Sequence, residues 1–163
     1  MSPYSLAEEL NRCKNFGDVF QLVKRAVKET LGESRVGLML YIGNLPIHVG
    51  AFHQVGSNGI VLNRRALNLV EGSVKSTMEL NSFIFSILLH EYLHSLGYLN
   101  ERQVRKLVYE ISQKTFGEDH PATEMAVNGP MKGLPLHEVQ FDEDVGDFEI
   151  IVDFERPNQN YIS

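Results

Sequence analysis

The chain has 163 residues, 43% of them apolar and 22% charged, the balance of an ordinary globular domain rather than of a disordered or membrane-spanning chain. Its formal net charge of -6 and sequence pI near 5.5 exclude the basic face that a nucleic-acid footprint needs, so neither a nucleic-acid nor a membrane partner is expected. A single cysteine, Cys13, cannot close an internal disulfide, and the start MSPYSLAEEL lacks the basic-then-apolar order of a secretory leader, so the expected location is cytoplasmic.

Ser5 to about Lys14 and Asp18 to about Leu31 read as two helices. In the second, Val19, Phe20, Val23, Val27 and Leu31 form an apolar stripe, Asp18 can cap the start and Gly32 can end it. Cys13 falls in the first, as a small core filler. From Arg35 the period changes. Val36 to Ile42 is apolar and strand-like, Gly43, Asn44 and Pro46 make a turn, and Ile47 to Val55 reads as a second strand. Ser57, Asn58 and Gly59 supply hairpin chemistry, and Ile60 to Leu62 continues as a third strand. Alternation puts His48 and His53 on opposite faces of the second strand, so they form no paired site; His53 is the one that could approach a site from the substrate side.

Arg64 to about Glu71 is a short helix ended by Gly72. Ser76, with Glu79 three residues on, makes a capping box for a helix over about Thr77 to Leu96. Its apolar residues, from Leu80 through Phe83, Phe85, Leu88 and Tyr92 to Leu96, project in nearly every direction, and a helix apolar all round is a buried one. Ser86, His90, Glu91 and His94 break that apolar wall. Burying a charge is costly unless it is paired or holds a metal, so four polar groups entering a core together point to metal binding.

The spacing within that group specifies the chemistry. His90 and His94 stand one helical turn apart and can turn both imidazoles to one ion. Glu91 lies about 100° further round, where its carboxylate can serve a metal-activated water as general base without ligating. Beyond Gly97, a natural C-cap, Asn100 can cap a helix from Glu101 to about Phe116, with Val104, Leu107, Val108 and Ile111 as its core stripe. Glu101 stands about 70° from the stripe's centre and Glu110 about 110°, so Glu101 looks inward more.

From Gly117 onward Pro121, Gly129, Pro130, Gly133 and Pro135 are expected to interrupt any regular element, and residues 142–147 are an acidic run. His120 and His137 read as loop histidines. Phe148, Ile150, Val152 and Phe154 alternate with acidic residues as a terminal strand, with Val139 and Phe141 available as a hairpin partner. The expected organisation is a metal-binding domain over 1–116 and an arm over 117–163 packed on the same domain or on a neighbour.

The run HEYLHSLGYLNE resembles the H-E-x-x-H-x-x-G form of the zincin metallopeptidases, metzincin-like and small prokaryotic members among them. The resemblance covers roughly Gly59 to Phe116. It implies an α+β zincin-like fold, with a small three- to four-stranded mixed sheet packed on the buried motif helix and further helices at its flanks. It also implies zinc-dependent hydrolysis of a peptide or protein substrate. Carried over residue by residue, it makes His90 and His94 zinc ligands and Glu91 the general base. In that pattern a third ligand, His or Asp, stands where this chain has Asn100, a neutral amide better suited to capping than to zinc. The third ligand is then expected first from Glu101. Glu110, sixteen residues past His94 as in thermolysin-like enzymes, His120, His137 or a water are the alternatives.

A second resemblance is to the metal-dependent endoribonucleases of ribosomal RNA maturation, matching at His90, Leu93, His94, Gly97 and Tyr98 and departing at Glu91 and Asn100. It ranks lower, because the acidic charge disfavours RNA. The non-enzymatic reading is a degenerate zincin kept as a metal-stabilised binding module; the acidic arm as an internal inhibitor is another. An extended substrate is expected to pair with the edge Gly59 to Asn63, with Tyr98 or His53 beside the oxyanion.

Overall fold

Six helices and four strands form among the described residues, which are 4–136 and 148–155 of the computed structural model. In chain order they are α1 (Leu6–Arg12), α2 (Phe16–Leu31), β1 (Met39–Gly43), β2 (Ala51–His53), β3 (Gly59–Asn63), α3 (Arg64–Ser73), α4 (Thr77–Ser95), α5 (Glu101–Phe116), α6 (Pro121–Asn128) and β4 (Glu149–Ile151). The class is α+β with a small mixed sheet.

Side-chain caps set most helix starts. Ser5 accepts from the amide of Glu8 and Ser76 from that of Glu79, each at 3.1 Å. The second helix begins earlier than its apolar stripe suggests: Asn15, not Asp18, is its N-cap, accepting from the Asp18 amide at 2.8 Å. Asp18 instead accepts from the Lys14 amide at 3.0 Å, closing the box from inside the helix. Gly32 ends α2 in the left-handed conformation, φ 72°.

The sheet order is β2-β3-β1-β4, with β1 parallel to β3 and the two outer strands antiparallel to their neighbours. Alternation sends Leu40, Ile42, Ile60 and Leu62 to the buried face. Phe52, Val61, Tyr41 and Ile150 follow one another across the strands on the other face, where Phe52 and Ile150 are exposed. Against the buried face lies α4, which touches all five other helices as well as β2 and β3. Phe83, Phe85, Leu88, Leu89, Tyr92 and Leu93 are all at most 1% exposed, each stabilising the fold by about 1.5–3 kcal/mol through burial.

Four expectations about the elements are corrected. The first strand starts at Met39 rather than Val36, which is 76% exposed. The amides of Gly37 and Leu38 are taken by the Glu155 carboxylate, each at 2.7 Å, instead of by a neighbouring strand. The second strand is only Ala51–His53, because the backbone before it is bonded to a side chain. Asn63 donates to the carbonyls of Pro46 and Val49 and accepts from the amide of Leu45, at 2.7–3.0 Å, which holds 45–49 out of the ladder. His48 therefore sits in a turn and not opposite His53 on a strand. Gly59 to Asn63 is no edge either, since β3 pairs with β2 on one side and β1 on the other.

The fourth correction concerns the stretch after Gly117, which contains a helix. Proline at the first helical turn starts α6 rather than breaking it, since its missing N–H would have had no partner there. His120 is the N-cap: its Nδ1 accepts from the Ala122 amide at 3.0 Å, and its ring stacks on Phe116. Ala122 and Thr123 are buried, and α6 packs on α4 and α5. Beyond β4, Phe154 is buried and stacks on Phe20. Val139, Phe141, His137 and the acidic run lie outside the described residues. Cys13 is half-buried against the core, its thiol donating to the Glu9 carbonyl at 3.3 Å. No helix among the described residues is long and apolar enough to cross a membrane.

Candidate metal centre

The end of α4 and the start of α5 are joined by a tight reversal. Gly97 has φ 105°, a region that L side chains rarely adopt, and the space around it is open, so the backbone rather than crowding calls for glycine. The amide of Gly97 donates to the His94 carbonyl at 3.0 Å and that of Tyr98 to the Leu93 carbonyl at 3.2 Å. The reversal returns the Tyr98 carbonyl to His94, whose Nδ1 donates to it at 2.8 Å. Asn100 then accepts from the Gln103 amide at 3.0 Å and starts α5, with Glu101 as its first residue.

Three side chains converge as a result. The Nε2 atoms of His90 and His94 are 3.2 Å apart; Glu101 brings one carboxylate oxygen to 3.0 Å from the first and the other to 2.7 Å from the second. With its Nδ1 proton given to Tyr98, neutral His94 aims a lone pair at a carboxylate oxygen that also has only lone pairs. Either a proton or a cation must lie between them. Protonating both imidazoles would place two positive charges against each other. A tetrahedral cation with bonds of about 2.0–2.1 Å separates its ligand atoms by about 3.3 Å; the two nitrogens match this, the carboxylate oxygens at 2.7 and 3.0 Å stand closer than an ion needs and would move outward on binding, and a two-nitrogen, one-oxygen set suits zinc. Burial pushes the His90 pKa down, the Glu101 charge partly opposes this and the His94 charge adds to it, so His90 favours the neutral form a ligand needs.

Glu91, beside the first histidine, is 7% exposed. Burial is the main reason its pKa rises to about 7; the charge of Glu101 adds to the rise, while His94 and a hydrogen bond from the His53 amide oppose it. Of these residues His90, Glu91 and Glu101 line a cleft of about 610 Å³. Its helical side is lined by Ser86, Ile87, His90 and Glu91 of α4 and Glu101, Arg105 and Val108 of α5; its strand side is His48 to Ala51. Met125 to Met131, at the end of α6 and just beyond it, complete the lining.

Of the residues singled out from sequence, His90, His94, Glu101 and Glu91 are thus brought together. Glu110 does not join the group and pairs with Lys106 at 4.0 Å. His120 and Asn100 are helix caps, and His137 lies outside the described residues. The roles expected for Tyr98 and His53 beside an oxyanion find no geometry: neither lines the cleft. The Tyr98 hydroxyl donates to Glu33, which raises its pKa, and the buried His53 ring donates from Nδ1 to the Gly59 carbonyl at 2.9 Å. Sequence reading passed over His48 and Arg105 as cleft residues, and Asn63 as the anchor of the strand-side wall. For Asn63 a signal existed: a buried-strand pattern ending in asparagine directly before a helix.

No protein-family model, no curated protein and no solved structure matches the chain.

Proposed function

We propose that the chain is a zincin-like, zinc-dependent metallopeptidase in which His90, His94 and Glu101 hold the metal and Glu91 is the general base. The observation that supports this best is the convergence of two imidazole nitrogens and a carboxylate, at 2.7–3.2 Å, beside a buried carboxyl at the wall of a cleft.

Zinc in such a set lowers the pKa of a coordinated water toward about 7 and polarises a scissile carbonyl. The residues do the rest. His94 is fixed in one tautomer by its bond to the Tyr98 carbonyl, as metal-bound histidines usually are through their second nitrogen. Glu91 takes a proton at its carboxylate and passes it to the leaving amine, from a buried position beside His90. The His53 amide orients that carboxylate from the strand side. An extended peptide adds to the edge strand β2, whose residue Ala51 lines the cleft.

The test is Glu91→Gln in the zinc-loaded full chain, with cleavage of a peptide library followed by mass spectrometry. We expect cleavage to fall by about 10²- to 10⁴-fold with zinc content unchanged. Full activity in this variant would remove Glu91 from the mechanism. A zinc-loaded unaltered chain that cleaves nothing in the library would leave a metal-stabilised binding module.

A further inference from the structure

The cleft's charged lining consists of Glu91, Glu101 and Arg105, with His48 as the other titratable group besides His90. The two carboxylates are engaged with the base and ligand roles. Arg105 is not. It stands four residues beyond Glu101 on α5, hence on the same face one turn along, and it is exposed into the cleft. It forms no salt bridge among the described residues, whereas Lys106, next to it in the chain, pairs with Glu110. Around it the lining turns apolar, with Ile87, Val108, Met125 and Met131.

This arrangement has an electrostatic consequence that rests on the proposed function. A bound dication offsets Glu91 and Glu101, and Arg105 then leaves the cleft positive. A guanidinium fork pairs best with a carboxylate, bidentately, and partial exclusion of water strengthens the pair. We propose that Arg105 selects peptides carrying a carboxylate next to an apolar residue, the carboxylate meeting the guanidinium and the apolar side chain covering Ile87, Val108 and Met125. The carboxylate comes either from the peptide's C-terminus or from an Asp or Glu side chain.

Four fluorescently labelled peptides with the same apolar residue test this: one ends in a free acid, one in an amide, and two amidated peptides carry Glu or Gln at the adjacent position. Binding is measured by anisotropy on the zinc-loaded Glu91→Gln chain, which does not turn over, and cleavage on the unaltered chain. We expect the acid or the Glu peptide to bind about tenfold more tightly than its neutral counterpart, as for a hydrogen-bonded charge pair, and the arm that shows the effect names the source. Arg105→Met should erase the difference, Arg105→Lys should keep part of it, and Arg105→Glu should reverse it in favour of the neutral peptides. Equal binding of charged and neutral peptides overturns the proposal, as does a preference that survives Arg105→Met. Cleavage without preference removes this inference alone. Preference in binding without cleavage of any peptide removes the hydrolase reading alone.

Discussion

The cleft has two walls built by different means. On the helical wall, His90 and Glu101 are eleven residues apart, and every donor between them is placed by a local rule: the one-turn spacing of the histidines, the reversal at Gly97, the cap at Asn100. The strand-side wall has no ladder of its own over 45–49. Its only side-chain anchor among the described residues is the buried Asn63, three of whose hydrogen bonds reach back 14 to 18 residues, beside the backbone bonds Val49 to Pro46 and Asn63 to Gly50. A wall set by local rules can be read along the chain. A wall set by one distant amide cannot.

The largest effect should come from breaking the helical wall at a single carboxylate. Glu101→Gln should abolish stoichiometric zinc binding in a chelator competition, while Glu110→Gln, on the same helix but outside the donor group, should leave it unchanged. Equal losses in both variants would break the ligand assignment. Next comes the point where the walls meet, since Glu91 of α4 takes a hydrogen bond from the His53 amide of β2. Without metal, the folded chain holds the Glu91 proton up to about pH 7, whereas the unfolded chain releases it near 4.5. Glu91 therefore favours folding most below pH 4.5. That contribution declines by about 3 kcal/mol as pH rises through 7, because each pH unit separating the two release points is worth about 1.4 kcal/mol. Urea unfolding of chelator-treated protein should show this decline relative to Glu91→Gln, and a rise over the same window would contradict it. The smallest of the three lies in the strand-side wall. Asn63→Ala strips partners from the Leu45 amide and the Pro46 and Val49 carbonyls and should cost about 2 kcal/mol in chemical unfolding, with zinc binding retained. Loss of zinc in a folded Asn63→Ala chain would show that the two walls are coupled.

The same division explains how much was legible beforehand. The bounds of α4 and α5 followed from periodicity and caps to within a residue; the stripe angle did not rank the two glutamates by burial, since the Glu101 side chain is 57% exposed and that of Glu110 44%. The mixed sheet was legible as a class, but its edges were not, because strand order depends on β1 pairing with β3 across the intervening β2. Pro121 misled because the same residue that breaks a helix interior is well placed in a first turn. His48 and Arg105 were missed for a third reason: what makes them cleft residues is the approach of α6 and the 45–49 turn, neither of which leaves a pattern in the residues themselves.

The turn at Gly97 also sets how the donor group would meet an ion. The reversal and the cap hold the three side chains within 3.2 Å of one another, so the conformational entropy of gathering them is lost when the chain folds rather than when a cation arrives. An ion entering from the cleft would find a preassembled tridentate chelator. Its departure would leave α4, α5 and their caps in place, unlike the small zinc modules that unfold when the metal is stripped.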